Sequence, residues 1–184
     1  MDNQLPRLYS ADRRGLYREG PLTLMLSPPV PGIGFLKSHR GDFTADDIAQ
    51  HVMNLFPEGL SIHGWDFVTV QNWRQIPETE ATLEHNPAIE LVFEYVRRSQ
   101  FPEKPSRLQS YFAFDDADRV RSFSDAPIFE VKPANAFKFD MTWLSVSNQL
   151  AVASYNAHQY WSGAASATPD WEYLLAPPVD ISRL

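Results

Sequence analysis

The chain has 184 residues, a formal charge of −7, 43% hydrophobic and 13% aromatic residues, and no cysteine. That is the length of one domain with enough apolar mass for a core, and its acidic balance argues against a nucleic-acid partner held by counterion displacement. Without cysteine, disulfides, thiolate chemistry and cysteine-ligated zinc are excluded.

Residues 1–7 contain no apolar h-region, and no apolar run approaches the roughly 20 residues of a membrane-spanning helix. The expectation is a cytoplasmic protein without membrane contact, or one secreted without an ordinary signal peptide. In chain order, residues 5–10 read as a short strand. Gly15 and Gly20 punctuate a turn, and residues 21–26 can form a second extended piece. Residues 27–34 carry three prolines and two glycines and read as a surface loop. The Gly32-Ile33-Gly34 within it has no strand-turn-helix setting, so it is not read as a phosphate loop.

Thr44 is a good helix N-cap, with Asp46 and Asp47 in the first turn. Ile48, Val52, Leu55 and Phe56 then follow near helical spacing, and Pro57 and Gly59 stop the helix. Residues 65–73, with Phe67, Val68, Thr69 and Val70, predict a strand. Residues 76–85 predict a loop. Asn86 and Pro87 open a helix over residues 87–100, with Ile89, Val92, Phe93 and Val96 on its apolar face.

Glu90, Glu94, Arg97 and Arg98 lie on that same helix at ion-pairing distance along the chain. The first reading of such a pattern is a solvated, salt-bridged face. The second is that Glu94 or Arg97 braces the loop leading to Ser106. Residues 106–114 then read as an extended, unusually polar segment. Residues 115–123 read as a short helix, 128–131 as a strand and 136–144 as an extended aromatic stretch. A helix follows over residues 148–162, with Leu150, Ala151, Ala157, Tyr160 and Trp161 available for the core and Gly163 as its C-terminal cap. Residues 171–175 form a last strand. Strands and helices mix without regular alternation, which predicts an α+β fold.

Two features ask for chemistry. A strand needed only for packing would not carry Ser106, Arg107, Gln109, Ser110 and Tyr111 together. Glu172 stands in an aromatic, apolar strand, where a carboxylate is costly unless it is paired, wet or meets a ligand. A period of two sets it opposite Trp171, Tyr173 and Leu175. The five histidines show no metal-ligand spacing, and no Gly-x-Ser-x-Gly occurs. Neither a metal nor a serine nucleophile is therefore expected.

Ser110-Tyr111-Phe112-Ala113, followed by an acidic helix start with Ala117, resembles the middle motif of ADP-ribosyltransferases. Trp171-Glu172-Tyr173-Leu174-Leu175, with Val179 and Ile181 beyond, is similar to the motif that carries that family's catalytic glutamate. Arg7-Leu8-Tyr9-Ser10-Ala11-Asp12 looks like its opening strand. The three pieces come in the family's order. Residues 94–112, through Arg97-Arg98 and Pro105-Ser106-Arg107, also resemble an uncharacterised family of bacterial proteins.

The resemblance implies one domain over residues 1–184 with two small, packed, mostly antiparallel sheets, a split β-sandwich flanked by helices. NAD would lie between the sheets as substrate. It implies an NAD-dependent transferase of the glycosyltransferase class that cleaves the nicotinamide-ribose bond, in the manner of a bacterial toxin or effector. ADP-ribose would pass to a protein or small-molecule acceptor. Glu172 would stabilise the oxocarbenium-like charge, and Tyr111 would stack on nicotinamide. Arg107 would reach the pyrophosphate, while Ser106, Gln109 and Ser110 would bond the ribose or carboxamide. In the first strand Arg7, Tyr9 and Ser10 would complete the NAD site. Ser10 stands where the family has His or Arg, which implies a different anchor such as Arg7 or Arg107, or a weakened or lost activity. The reading from another class is a non-catalytic interaction protein that retains the scaffold. A third is an enzyme acting on an RNA 2′-phosphate, which the acidic balance disfavours.

Overall fold

The computed structural model describes residues 6–13, 15–28, 44–69, 87–145 and 149–184. Five strands and five helices make an α+β fold around two long antiparallel strands: β1 is Leu8–Ala11, β2 Gly20–Leu22, β3 Tyr111–Ala113, β4 Ile128–Asp140 and β5 Trp171–Arg183. The helices are α1 (Ala45–Leu55), α2 (Ile62–Thr69), α3 (Pro87–Gln100), α4 (Ala117–Phe123) and α5 (Leu150–Ser162).

β4 and β5 pair from Phe129 opposite Arg183 to Asp140 opposite Trp171, with an irregularity between Pro133 and Asn135. β1 covers the outer edge of the first part of β4, with Leu8 opposite Val131. The other edge of β5 carries β3 along its first part and β2 along its second. Tyr9 and Phe114 exchange backbone hydrogen bonds of 2.8 and 2.9 Å, which ties β1 back to the end of β3. The two packed sheets expected from the sequence are therefore one continuous hydrogen-bonded sheet that curls on itself. Its inner face is a cluster of Leu8, Tyr111, Ala113, Phe129, Val131, Tyr173, Leu175, Val179 and Ile181.

Glu172 and Leu174 alternate with Tyr173 and Leu175, so they point the other way, toward α3 and α5. There Phe139 and Leu174 pack with Ile89, Phe93 and Val96 of α3 and Ala153, Ala157, Tyr160 and Trp161 of α5. Burial on both faces explains why this strand reads as a nearly unbroken apolar run. Leu150 and Ala151 are exposed, not core. A third cluster joins Val52 and Phe56 of α1 to Leu60, Trp65 and Leu108.

Local signals mark the ends of these helices. Thr44 caps α1 in a reciprocal capping box with Asp47, whose carboxyl is held below its usual range by hydrogen bonds from Thr44. α3 spans the residues its periodicity predicts, and Gly163 closes α5 in the left-handed conformation at φ 77°.

The strand expected over residues 65–73 is a helix as far as it is described, to Thr69. Ser61 accepts from Gly64 N at 3.0 Å and so starts the helix as a cap would, and Trp65 is buried with its indole donating to Met25 O at 2.9 Å. Tertiary packing overrides the β-preference of Phe67 and Val68. The predicted strand over 128–131 and the extended stretch after 136 are the single strand β4, ending in a 3-10 turn at Met141–Trp143. Most of the proline-rich loop, the loop over 76–85 and the Asn86 cap lie outside the described residues.

Candidate functional site

Ser106 opens a 3-10 turn, Arg107–Gln109, by accepting from Leu108 N at 3.2 Å. The same hydroxyl donates to Glu94 Oε2 at 2.9 Å, and Glu94 also takes hydrogen bonds of 2.7–2.9 Å from Arg97 and Arg98. Arg97 reaches on to Lys104 O at 2.9 Å, binding the end of α3 to the segment that follows it. Ser110 Oγ donates to Ser106 O, and Leu108 O receives Ser61 N and Oγ. Glu94 and Arg97 therefore brace the turn, and the face they lie on is not solvated: Glu94 is buried, as is Glu90. Burial raises the Glu94 pKa, and the two arginines more than reverse it, leaving it below its ordinary value.

The brace aims Arg107 inward. Its Nε lies 3.1 Å from both oxygens of Glu90, its Nη1 donates to Tyr160 Oη at 2.6 Å, and the same nitrogen pairs with Glu172 Oε1. Tyr160 donates to that Glu172 oxygen at 2.7 Å. The guanidinium also lies over the Phe112 ring, 4.7 Å from its centroid. All four polar partners come from different elements: Glu90 from α3, Arg107 from the turn, Tyr160 from α5 and Glu172 from β5. Burial pushes the Glu90 pKa up, but the Arg107 charge and neighbouring His63 outweigh it and hold it at about 2. Burial pushes the Arg107 pKa down, and Glu172 and Glu90 more than restore it, to well above its ordinary value. Burial also keeps the Tyr160 phenol protonated far into the alkaline range.

This cluster forms part of the wall of a cleft of about 920 Å³. Of the residues singled out from the sequence, Ser10, Arg107, Tyr111 and Glu172 line it. Ser10 Oγ lies 3.2 Å from the Tyr17 hydroxyl, whose pKa burial pushes up to about 12. Tyr111 is 3% exposed, meets Tyr17 edge to face at 6.1 Å, and donates to Thr23 O at 2.9 Å. Burial raises its pKa too. Tyr17 and the half-buried Phe112 also line the cleft, Phe112 from the face of β3 opposite Tyr111.

The other nominees stand elsewhere. Arg7 is exposed ahead of β1, and Tyr9 lies on the strand face opposite Ser10. Ser106 and Ser110 are buried in the brace, and Gln109 donates to Gly59 O at 2.9 Å. These three hold the turn instead of facing the cleft.

Sequence reasoning missed Glu90, Tyr160, Tyr17 and His63 as cleft or network residues. A serine two residues before His63 was the available signal, not used, that His63 stands on a helix. Tyr160 carried only helical periodicity, which marks the buried side of a helix but not what faces it, and Glu90 was read as part of a solvated, salt-bridged face, whereas it is buried.

Among the described residues no group of three or more His, Asp or Glu side chains could hold a metal, and no helix is long and apolar enough to cross a membrane. No curated protein matches the chain. Residues 36–183 match a family described as a protein of unknown function, DUF2441, a span that includes Glu90, Arg107, Tyr111, Tyr160 and Glu172. The chain belongs to the DUF2441 family.

Proposed function

We propose that the cleft binds NAD and that the protein transfers ADP-ribose from it. One observation carries this reading. Ser10 of β1, Tyr111 of β3 and Glu172 of β5, nominated from separate motifs resembling those of ADP-ribosyltransferases, line one cleft. The cleft volume lies in the upper part of the roughly 300–1,000 Å³ range of small-molecule and cofactor sites, which leaves room for a dinucleotide.

The charge pattern suits the chemistry. When the bond between nicotinamide and ribose breaks, its electron pair leaves with nicotinamide and C1′ becomes cationic. Two carboxylates, Glu90 and Glu172, share the single guanidinium of Arg107, so the cluster keeps an excess of negative charge beside the cleft. A fixed carboxylate stabilises such a cation without having to reorganise as it forms. The acceptor then attacks C1′ and loses its proton. Tyr111 and Tyr17 supply aromatic faces on one side of β3, and Phe112 on the other, toward which Glu172 points, for stacking on the nicotinamide ring. Arg107 is occupied by carboxylates, so its role is to hold Glu172 in place, and the pyrophosphate must find other donors.

A buried ionic cluster is rarely the most stable way to fill a core, since apolar packing of similar volume often does as well or better. Its position in a cleft wall therefore favours a functional reason for keeping it.

The test is nicotinamide release from NAD by the purified protein, with Glu172→Gln beside it. Gln preserves the shape and an acceptor for Arg107 and Tyr160. Release should fall by roughly 100-fold or more in the variant while the fold is retained. Absence of both NAD binding and release in the unmodified protein would refute the proposal. Binding without release, equal in both forms, would assign the cleft to a non-catalytic interaction protein.

A further inference from the structure

His63 is a polar group of the cleft that the reading above leaves without a role. It stands on α2, lines the cleft, and packs against the rings of Phe67 and Phe112 at 4.4 and 4.3 Å between centroids. Its Nε2 is buried and makes no hydrogen bond among the described residues, yet it stops 3.5 Å from Glu90 Oε1. A buried polar atom without a partner is uncommon and calls for an explanation. At this distance from a carboxylate that Arg107 also holds, the imidazole can change the charge balance of the cluster by one unit.

Among the described residues, Asp12, Arg13 and Asp170 share its cleft, and other ionisable groups stand nearer. Glu90 faces it from α3, Arg107 stands behind Glu90 on the 3-10 turn, and Asp66 lines the same cleft one turn along α2. Glu172 of β5 and Tyr160 of α5 are one link further on, through Arg107. β3 presents the Phe112 ring to His63, and Tyr111 of the same strand lines the cleft.

We propose that His63 is a positioning residue whose protonation state sets the charge available at Glu172. With His63 neutral, Glu90 and Glu172 compete for Arg107, and the excess negative charge remains beside the cleft. With His63 protonated, the imidazolium closes on Glu90. The charges of Glu90, Glu172, Arg107 and His63 then balance, Arg107 is freed to hold Glu172 more fully, and Glu172 is less available to a cationic group in the cleft. Acid therefore switches the site off. The catalytic part rests on the proposed reading of Glu172 as the carboxylate that meets the cationic ribose.

Two measurements keep the failure of this inference distinct from the failure of that reading. The first needs no ligand: the His63 imidazole is followed by NMR as pH is varied, in the unmodified protein and in Glu90→Gln. Loss of the carboxylate should make His63 take up its proton less readily. An unchanged titration overturns the switch whatever NAD does. The second compares nicotinamide release between pH 5 and 8 in the unmodified protein and in His63→Gln, a variant that leaves the Glu90 pairing with Arg107 in place. Release should fall about tenfold or more on the acid side in the former, and the fall should vanish in the latter. An acid-side fall that persists in His63→Gln also overturns the switch. If the unmodified protein releases no nicotinamide at any pH, the proposed function fails and the NMR titration alone decides the switch.

Discussion

Replacing Arg107 with Met removes the one cation between two buried carboxylates while keeping most of the side-chain volume. Removing one partner of a buried ion pair costs about 3–5 kcal/mol, because the remaining charge stays buried without compensation. The pairing of Glu90 alone accounts for much of that. Its pKa is held at about 2 against an ordinary 4.5, which corresponds to about 3 kcal/mol of stability. Because the folded-state value is depressed, this contribution is fully present above pH 4.5 and is lost as pH falls through about 2. In Arg107→Met, burial acts on Glu90 with its main opponent gone and raises its pKa instead. The penalty then stands at neutral pH and is relieved as Glu90 takes up a proton.

The two proteins should therefore respond differently to mild acid. Between pH 7 and 5 the Glu90 contribution in the unmodified protein stays constant, whereas the variant gains stability. Urea unfolding followed by tryptophan fluorescence across this range measures both, since Trp65 and Trp161 are buried in separate clusters. A variant within about 1 kcal/mol of the unmodified protein at pH 7, where surface pairs fall, would refute the reasoning, as would parallel pH curves.

Gly64 stands where an added Cβ would lie 1.9 Å from Leu108 O, so Gly64→Ala must force α2 away from the turn that carries Arg107. Overpacking of this kind costs about 1–3 kcal/mol, read as a lower urea midpoint, and here it should also weaken ligand binding in the cleft; an unchanged midpoint would count against the close packing. Asp140 accepts from the backbone amides of Thr142, Ser166 and Asp170 at 2.7–3.0 Å. Burial raises its pKa, but these bonds prevail and hold it at about 2, so its stabilisation is present above pH 3.8 and lost as pH falls through about 2. Asp140→Ala leaves three amides without that acceptor and should cost about 3 kcal/mol or more at neutral pH; a loss below 1 kcal/mol would show that water replaces the carboxylate freely.

Legibility followed the range of the interaction. α1, α3 and α5 could be read because capping at Thr44, proline at position 87, glycine at 163 and the period of the apolar face are written within a few residues of one another. α2 was misread because Phe67 and Val68 favour a strand locally, while the contacts that make it a helix come from Met25 and Leu108, distant in sequence. Glu172 was legible as an anomaly, a carboxylate in an apolar strand. Its partners were not, since Arg107 and Tyr160 are 65 and 12 residues away.

The α+β composition, the ends of α1, α3 and α5 and the two segments of unusual polarity can be read along the chain, because each is a local preference or a local cost. Tertiary contacts set the strands into one curled sheet and make the polar turn a brace for Arg107. They also bring Ser10, Tyr111 and Glu172 to the lining of a common cleft. Those outcomes depend on which surfaces meet when the chain closes, and periodicity shows only that a surface is buried, not what it is buried against.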